Sequence, residues 1–91
     1  MIQRIQITVI GRVQGVFFRA YTEKKAIELG ITGYVKNQND GSVYIDAQGS
    51  PVELKNFVAW CHIGAPLSSV KAVQVTDVDV VADYVDFKIK R

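Results

Sequence analysis

Three observations predict an α+β fold with the element order βαββα followed by one or two closing strands. Near the start, Ile5, Ile7 and Val9 alternate with Gln6 and Thr8, and the same period of two returns near the end in Val85, Phe87 and Ile89. Two intervening stretches instead space their apolar residues at the period of a helix. Between those stretches, Asp40-Gly41 divides two runs rich in β-forming residues, which is a hairpin signal.

The first strand runs into the glycine-punctuated segment Gly11-Arg12-Val13-Gln14-Gly15-Val16-Phe17-Phe18-Arg19. From Phe18 the apolar spacing becomes Phe18, Thr22, Ala26 and Leu29, a helical stripe that stops at Gly30 and leaves Glu23, Lys24 and Glu28 for solvent. Residues 33–37 and 42–47 flank the turn. In the second of these runs Val43, Ile45 and Ala47 form an apolar face and Ser42, Tyr44 and Asp46 a wetter one, so the sheet is expected to be covered on one side only. Ser50 is placed to N-cap a second helix, with Pro51 at its first position and Glu53 completing a capping box. Leu54, Phe57, Val58 and Cys61 form its buried stripe, Trp60 widens it, and Gly64 and Pro66 close it. Residues 70–80 are rich in β-branched side chains, and a phase slip between Val75 and Val78 places a bulge or bend there. The whole is the split βαβ, ferredoxin-like arrangement, with two helices on one face of an antiparallel sheet.

Composition bounds the function. At 91 residues, with 48% hydrophobic and 22% charged content, residues 1–91 are expected to form one globular domain. The formal charge is only +2, yet residues 1–40 hold six Lys/Arg against three Asp/Glu and residues 41–91 five against six. A modest basic bias around the loop suits a small anion and falls short of a nucleic-acid surface. Cys61 is the only cysteine, so no intramolecular disulfide forms, and a reducing compartment is expected. No secretory leader and no membrane-spanning apolar run is present, which points to a cytoplasmic protein without a membrane partner, expected to be monomeric.

The loop reads as an anion cradle. Glycines let consecutive backbone N–H groups turn toward one point, and the following helix adds its own free N–H groups and positive dipole end. A cation in the first turn, Arg19, opposes that dipole unless an anion lies between them. The right-handed crossover makes the first two strands parallel, so the cradle and the Asn37 end of the second strand share one edge of the sheet. Period two puts Asn37 on the face of Val35; if that face meets the helices, Asn37 points toward Arg19. Backbone donors, a guanidinium and a neutral amide favour hydrolysis over covalent catalysis. An amide is no strong base, so the substrate needs a good leaving group or its own base. A mixed carboxylic-phosphoric anhydride offers both.

Taken singly, Gly11 and Gly15 read equally well as turn glycines, Arg19 as a solvated charge and Asn37 as a strand-end turn residue. The spacing fails a Walker A motif, because Val16 stands where the second glycine is needed and no Lys-Ser/Thr follows. One histidine beside one cysteine, His62 and Cys61, builds no zinc site, and they read as a helix-end cation and an inert core thiol. Asp77, Asp79, Asp83 and Asp86 read as a solvated acidic edge, and Lys36 as a solvated charge beside the pocket.

The segment from Gly11 to Arg19 resembles the first acylphosphatase signature, and Gly33-Tyr34-Val35-Lys36-Asn37 with Gly41, Val43 and Gly49 resembles the second. The resemblance covers essentially the whole chain, including Phe87-Lys88-Ile89; the extra alanine in Gly64-Ala65-Pro66 departs from it in a distant connector. It implies the ferredoxin-like fold and metal-independent hydrolysis of the carboxyl–phosphate bond of acyl phosphates by direct water attack, with no cofactor and no phosphoenzyme. Carried over by residue, it implies that the backbone amides of Gln14, Gly15, Val16, Phe17, Phe18 and Arg19, with the Arg19 guanidinium, bind the phosphoryl group and that Asn37 orients the water. Inorganic phosphate or sulfate would then be a competitive ligand. The alternative is a non-catalytic anion- or RNA-binding domain on the same fold; against RNA, residues 42–47 offer Tyr44 without the basic-glycine-aromatic pattern of stacking rings. An acylphosphatase-like module of a larger hydrogenase-maturation enzyme is a further rival, which the chain length disfavours.

Overall fold

The computed structural model describes residues 1–91. Its elements are β1 (Gln3–Arg12), α1 (Phe18–Glu28), β2 (Thr32–Asn37), β3 (Val43–Gly49), α2 (Pro51–Ile63), β4 (Ser69–Val78) and β5 (Phe87–Lys90). The strands form one sheet in the order β4-β1-β3-β2-β5. The expected ferredoxin-like α+β arrangement is thus present, extended by a fifth strand. Because β5 runs parallel to β2 while the other pairs are antiparallel, the sheet is mixed. No helix is long and apolar enough to cross a membrane.

The alternation foreseen in β1 and β3 turns Ile5, Ile7, Val9, Val43, Ile45 and Ala47 toward the helices, each at most 4% exposed. Onto them pack Phe18, Thr22 and Ala26 of α1 and Leu54, Phe57 and Cys61 of α2. Thr22 tolerates this core because its hydroxyl donates to the Phe18 carbonyl at 2.8 Å. Ser50 caps α2 by accepting from the Glu53 amide at 3.2 Å, and only this half of the capping box forms. Burial pushes the Cys61 thiol up to about 12, consistent with an inert core residue.

Two expectations are corrected. The bulge does not lie between Val75 and Val78; the register shifts opposite the Ile10–Gly11 step, where Ile10 pairs with Ala72 and Gly11 with Val70. Gly11 has φ 138°, and a Cβ there would strike the backbone of Ser69 and Lys71, so the step requires glycine. Nor is the second face of the sheet simply open. Residues 79–86 cross it as a strap, with Gln48 Nε2 donating to the Val81 carbonyl at 2.8 Å, Gln48 Oε1 accepting from the Val81 amide at 2.9 Å, and the Asp79 carbonyl accepting from Arg4 Nη1 at 3.0 Å. Asp46, read as wet from its place in the alternation, is 1% exposed and accepts from Arg4 at 2.7 and 2.9 Å. The strap ends where the Gly33 amide donates to the Asp86 carbonyl at 2.8 Å, which aligns β5 beside β2.

Candidate active site

Between β1 and α1 the backbone turns through two left-handed residues, Gly15 at φ 75° and Phe17 at φ 62°. Glycine adopts that conformation at little cost, whereas for a phenylalanine it is an outlier held only because its surroundings impose it. The result is a run of unused donors. No turn, loop or cap hydrogen bond engages the amide N–H of any residue from Gln14 to Ala20, and the first bond closing α1 is Tyr21 N–H to the Phe17 carbonyl. Phe17 caps α1 without a side-chain hydrogen bond, and the first turn holds no acidic residue. This end of the helix therefore presents bare N–H groups and an uncompensated dipole, with Arg19 as the only charged side chain of its first turn.

A cleft of about 320 Å³ opens at this point, and Gly15, Phe17, Phe18, Arg19 and Asn37 line it. The two separate sequence motifs thus meet in one cavity. Of the six loop residues expected to hold an anion, Gln14 and Val16 do not line the cleft; Val16 is 7% exposed within the core. The Gln14 side chain turns to the hairpin instead, and its Nε2 donates to the carbonyls of Gln38 at 2.7 Å and Ser42 at 2.9 Å. It fixes the cradle against the β2–β3 turn that follows Asn37. Arg19 is steadied by Nη1 donating to the Lys90 carbonyl at 3.2 Å, which leaves its other guanidinium donors free.

Asn37 sits at the end of β2 on the face of Val35, as the period of two required. Its Oδ1 is buried and has no hydrogen-bond partner, and it is the only buried side-chain nitrogen or oxygen in the chain of which this is true. An unpaired buried amide oxygen costs about 1–3 kcal/mol, which sets Asn37 apart from the other buried polar side chains of the fold. Lys36, expected beside the pocket, lies on the other face with its ammonium 5.7 Å from the Tyr44 ring centroid. Sequence reasoning missed Ile89 and Arg91, which line the cleft, and Lys90, which holds Arg19. The alternation marked β5 as a strand but could not show that it pairs with β2.

The lining residues include no hydroxyl, thiol, imidazole or carboxylate side chain. Such a set binds an anion and positions a small polar molecule, and it supplies neither a side-chain nucleophile nor a strong base. Nowhere in the chain do three His, Cys, Asp or Glu side chains converge as metal ligands do.

The Acylphosphatase family profile matches residues 5–89. An acylphosphatase of Shewanella amazonensis is 47% identical over 87 residues, spanning 96% of each chain, and one of Marinobacter nauticus is 44% identical over 87 residues, spanning 96% of this chain and 95% of that one. The crystal structure of an acylphosphatase from Bacillus subtilis superposes over 100% of both chains with a TM-score of 0.94 at 36% identity.

Proposed function

The chain belongs to the acylphosphatase family and acts as an acylphosphatase, and from that premise we propose how residues 1–91, working as one domain, perform the reaction. The phosphoryl group of a small acyl phosphate enters the cradle and takes hydrogen bonds from the amides of Gly15, Phe17, Phe18 and Arg19, which line the cleft, and from the Arg19 guanidinium, while Gln14 and Val16 shape the loop behind them. Asn37 Oδ1 accepts a hydrogen bond from a water and holds it against phosphorus. The water oxygen bonds to phosphorus as the bond to the acyl oxygen breaks. The electron pair of that bond leaves with the carboxylate, and a water proton passes to a phosphoryl oxygen, giving carboxylate and inorganic phosphate. No strong base is needed because carboxylate departs readily, and the protein contributes positioning and stabilisation of charge on the phosphoryl oxygens.

The observation that carries this reading is the unpartnered Asn37 Oδ1 in the same cleft as Arg19 and the free amides. Neither a metal nor a cofactor has a role in it, since the cleft offers no carboxylate, imidazole or thiolate side chain. Inorganic phosphate and sulfate suit the cradle as competitive ligands, and the one free, buried cysteine supports a reducing, cytoplasmic setting for what is read as a monomer. The reading is tested by following benzoyl or acetyl phosphate in the presence of a chelator. Sustained hydrolysis, inhibited competitively by phosphate, is the expected result, and no turnover by a folded preparation overturns it.

A further inference from the structure

The conformation of Phe17 and the fate of its ring answer to different demands. Its left-handed backbone, φ 62° and ψ 23°, helps turn the loop amides toward one point, yet glycine or asparagine would adopt it more cheaply. The ring is not used by the fold. It is 74% exposed and pairs with no other aromatic ring, whereas the adjacent Phe18 is 1% exposed and packs on Trp60 at 5.6 Å. Exposed phenylalanines are ordinary one at a time, but this one stands on a strained residue and lines the cleft that holds Arg19 and Asn37. Ile89, at the end of β5, lines the same cleft. The amides and Arg19 are committed to the phosphoryl oxygens, so an apolar ring there is left to meet what the phosphoryl group carries.

We infer that the Phe17 ring is a wall of the acyl subsite and sets specificity, favouring aromatic or flat apolar acyl groups over a short one such as acetyl. This rests on the hydrolysis proposed above. Stacking on the ring contributes only while the acyl group is large enough to reach it. Alanine at position 17 keeps a Cβ, and with it the same left-handed backbone demand, so Phe17→Ala removes the ring without relaxing the loop.

The test compares kcat/KM for benzoyl phosphate and acetyl phosphate, with the inhibition constant of inorganic phosphate, in the parent, Phe17→Ala, Phe17→Leu and Phe17→Tyr. The expected result is a benzoyl-to-acetyl ratio lowered about three- to tenfold in Phe17→Ala, less in Phe17→Leu, and retained in Phe17→Tyr, with phosphate inhibition within about twofold of the parent. A ratio unchanged in Phe17→Ala overturns the inference. So does an equal loss on both substrates, with or without weaker phosphate binding, because the ring would then serve the loop alone. A folded parent that turns over neither substrate overturns the hydrolytic reading itself and is thereby distinguished from either result.

Discussion

Two polar clusters lie on this sheet, and they are built to opposite rules. On the face crossed by the strap, Asp46 accepts two of the three Arg4 hydrogen bonds and a further contact from Gln6 at 3.4 Å, and Gln48 spends both the Nε2 and the Oε1 of its amide on Val81. At the cradle, a run of amides has no intramolecular acceptor in any turn or cap, Asn37 Oδ1 has no partner, and Phe17 is held left-handed. A fold with every means of closing its polar groups has closed one set and left the other open. The satisfied cluster fastens a loop to the sheet; the unsatisfied one is where the proposed reaction places its ligand.

Electrostatics sharpen the contrast. Burial pushes the Asp46 carboxyl up, but the hydrogen bonds and positive charge of Arg4, with help from the neighbouring Tyr84 and Gln6 side chains, outweigh it and hold the group below the ordinary carboxylate range. The same bond to Asp46 raises the Arg4 guanidinium. Because the folded state holds Asp46 below its unfolded value, the pair contributes stability that is full above the unfolded pKa of about 3.9 and is lost as pH falls through the folded value. Its stabilisation is therefore intact at neutral pH.

Substitutions separate the two clusters. Arg19→Ala, the largest expected effect, removes the guanidinium proposed to meet the phosphoryl oxygens; steady-state kinetics should show a loss of about 10³-fold or more, with competitive inhibition by phosphate abolished. Gln14→Ala frees the cradle from the hairpin and should lower kcat/KM about tenfold while weakening phosphate inhibition, since small misplacements of a positioned group are costly. On the strap side, Asp46→Ala should cost about 2 kcal/mol in denaturant unfolding at pH 7, with turnover per folded molecule within about twofold of the parent. Asp46→Asn should also flatten the loss of stability expected of the parent as pH falls below about 4. The smallest change is Gln48→Ala, about 1 kcal/mol, again with activity retained. Loss of activity at constant stability in the Asp46 or Gln48 variants would erase the distinction.

What the sequence revealed follows the same division. The cradle and Asn37 were legible because each has a local signature, glycines before a helix and an amide at a strand end, and the crossover rule joined them. Asp46 was not, since a polar residue in a period-two pattern reads as solvent-facing, and its partner Arg4 lies 42 positions away. The strap over residues 79–86 has no periodicity to read, and the pairing of β5 with β2 is a matter of register between distant segments. The misplaced bulge has a physical cause as well. β4 is a largely exposed edge strand, so its apolar pattern is not disciplined by burial, while the true irregularity sits at Gly11, where its backbone meets Ser69 and Lys71. The side-chain role of Gln14 was hidden because its bonds go to backbone carbonyls that carry no sequence signature.

The central claim is that Asn37 Oδ1 is left open for the attacking water, and Asn37→Ala tests it most directly when kcat for benzoyl phosphate, the phosphate inhibition constant and unfolding free energy are measured on the same preparation. Removal of one preorganised group should lower kcat by about 10²–10³-fold, with phosphate inhibition and stability near those of the parent. Near-normal turnover in that variant, or a loss that merely tracks weakened phosphate binding, would contradict the account.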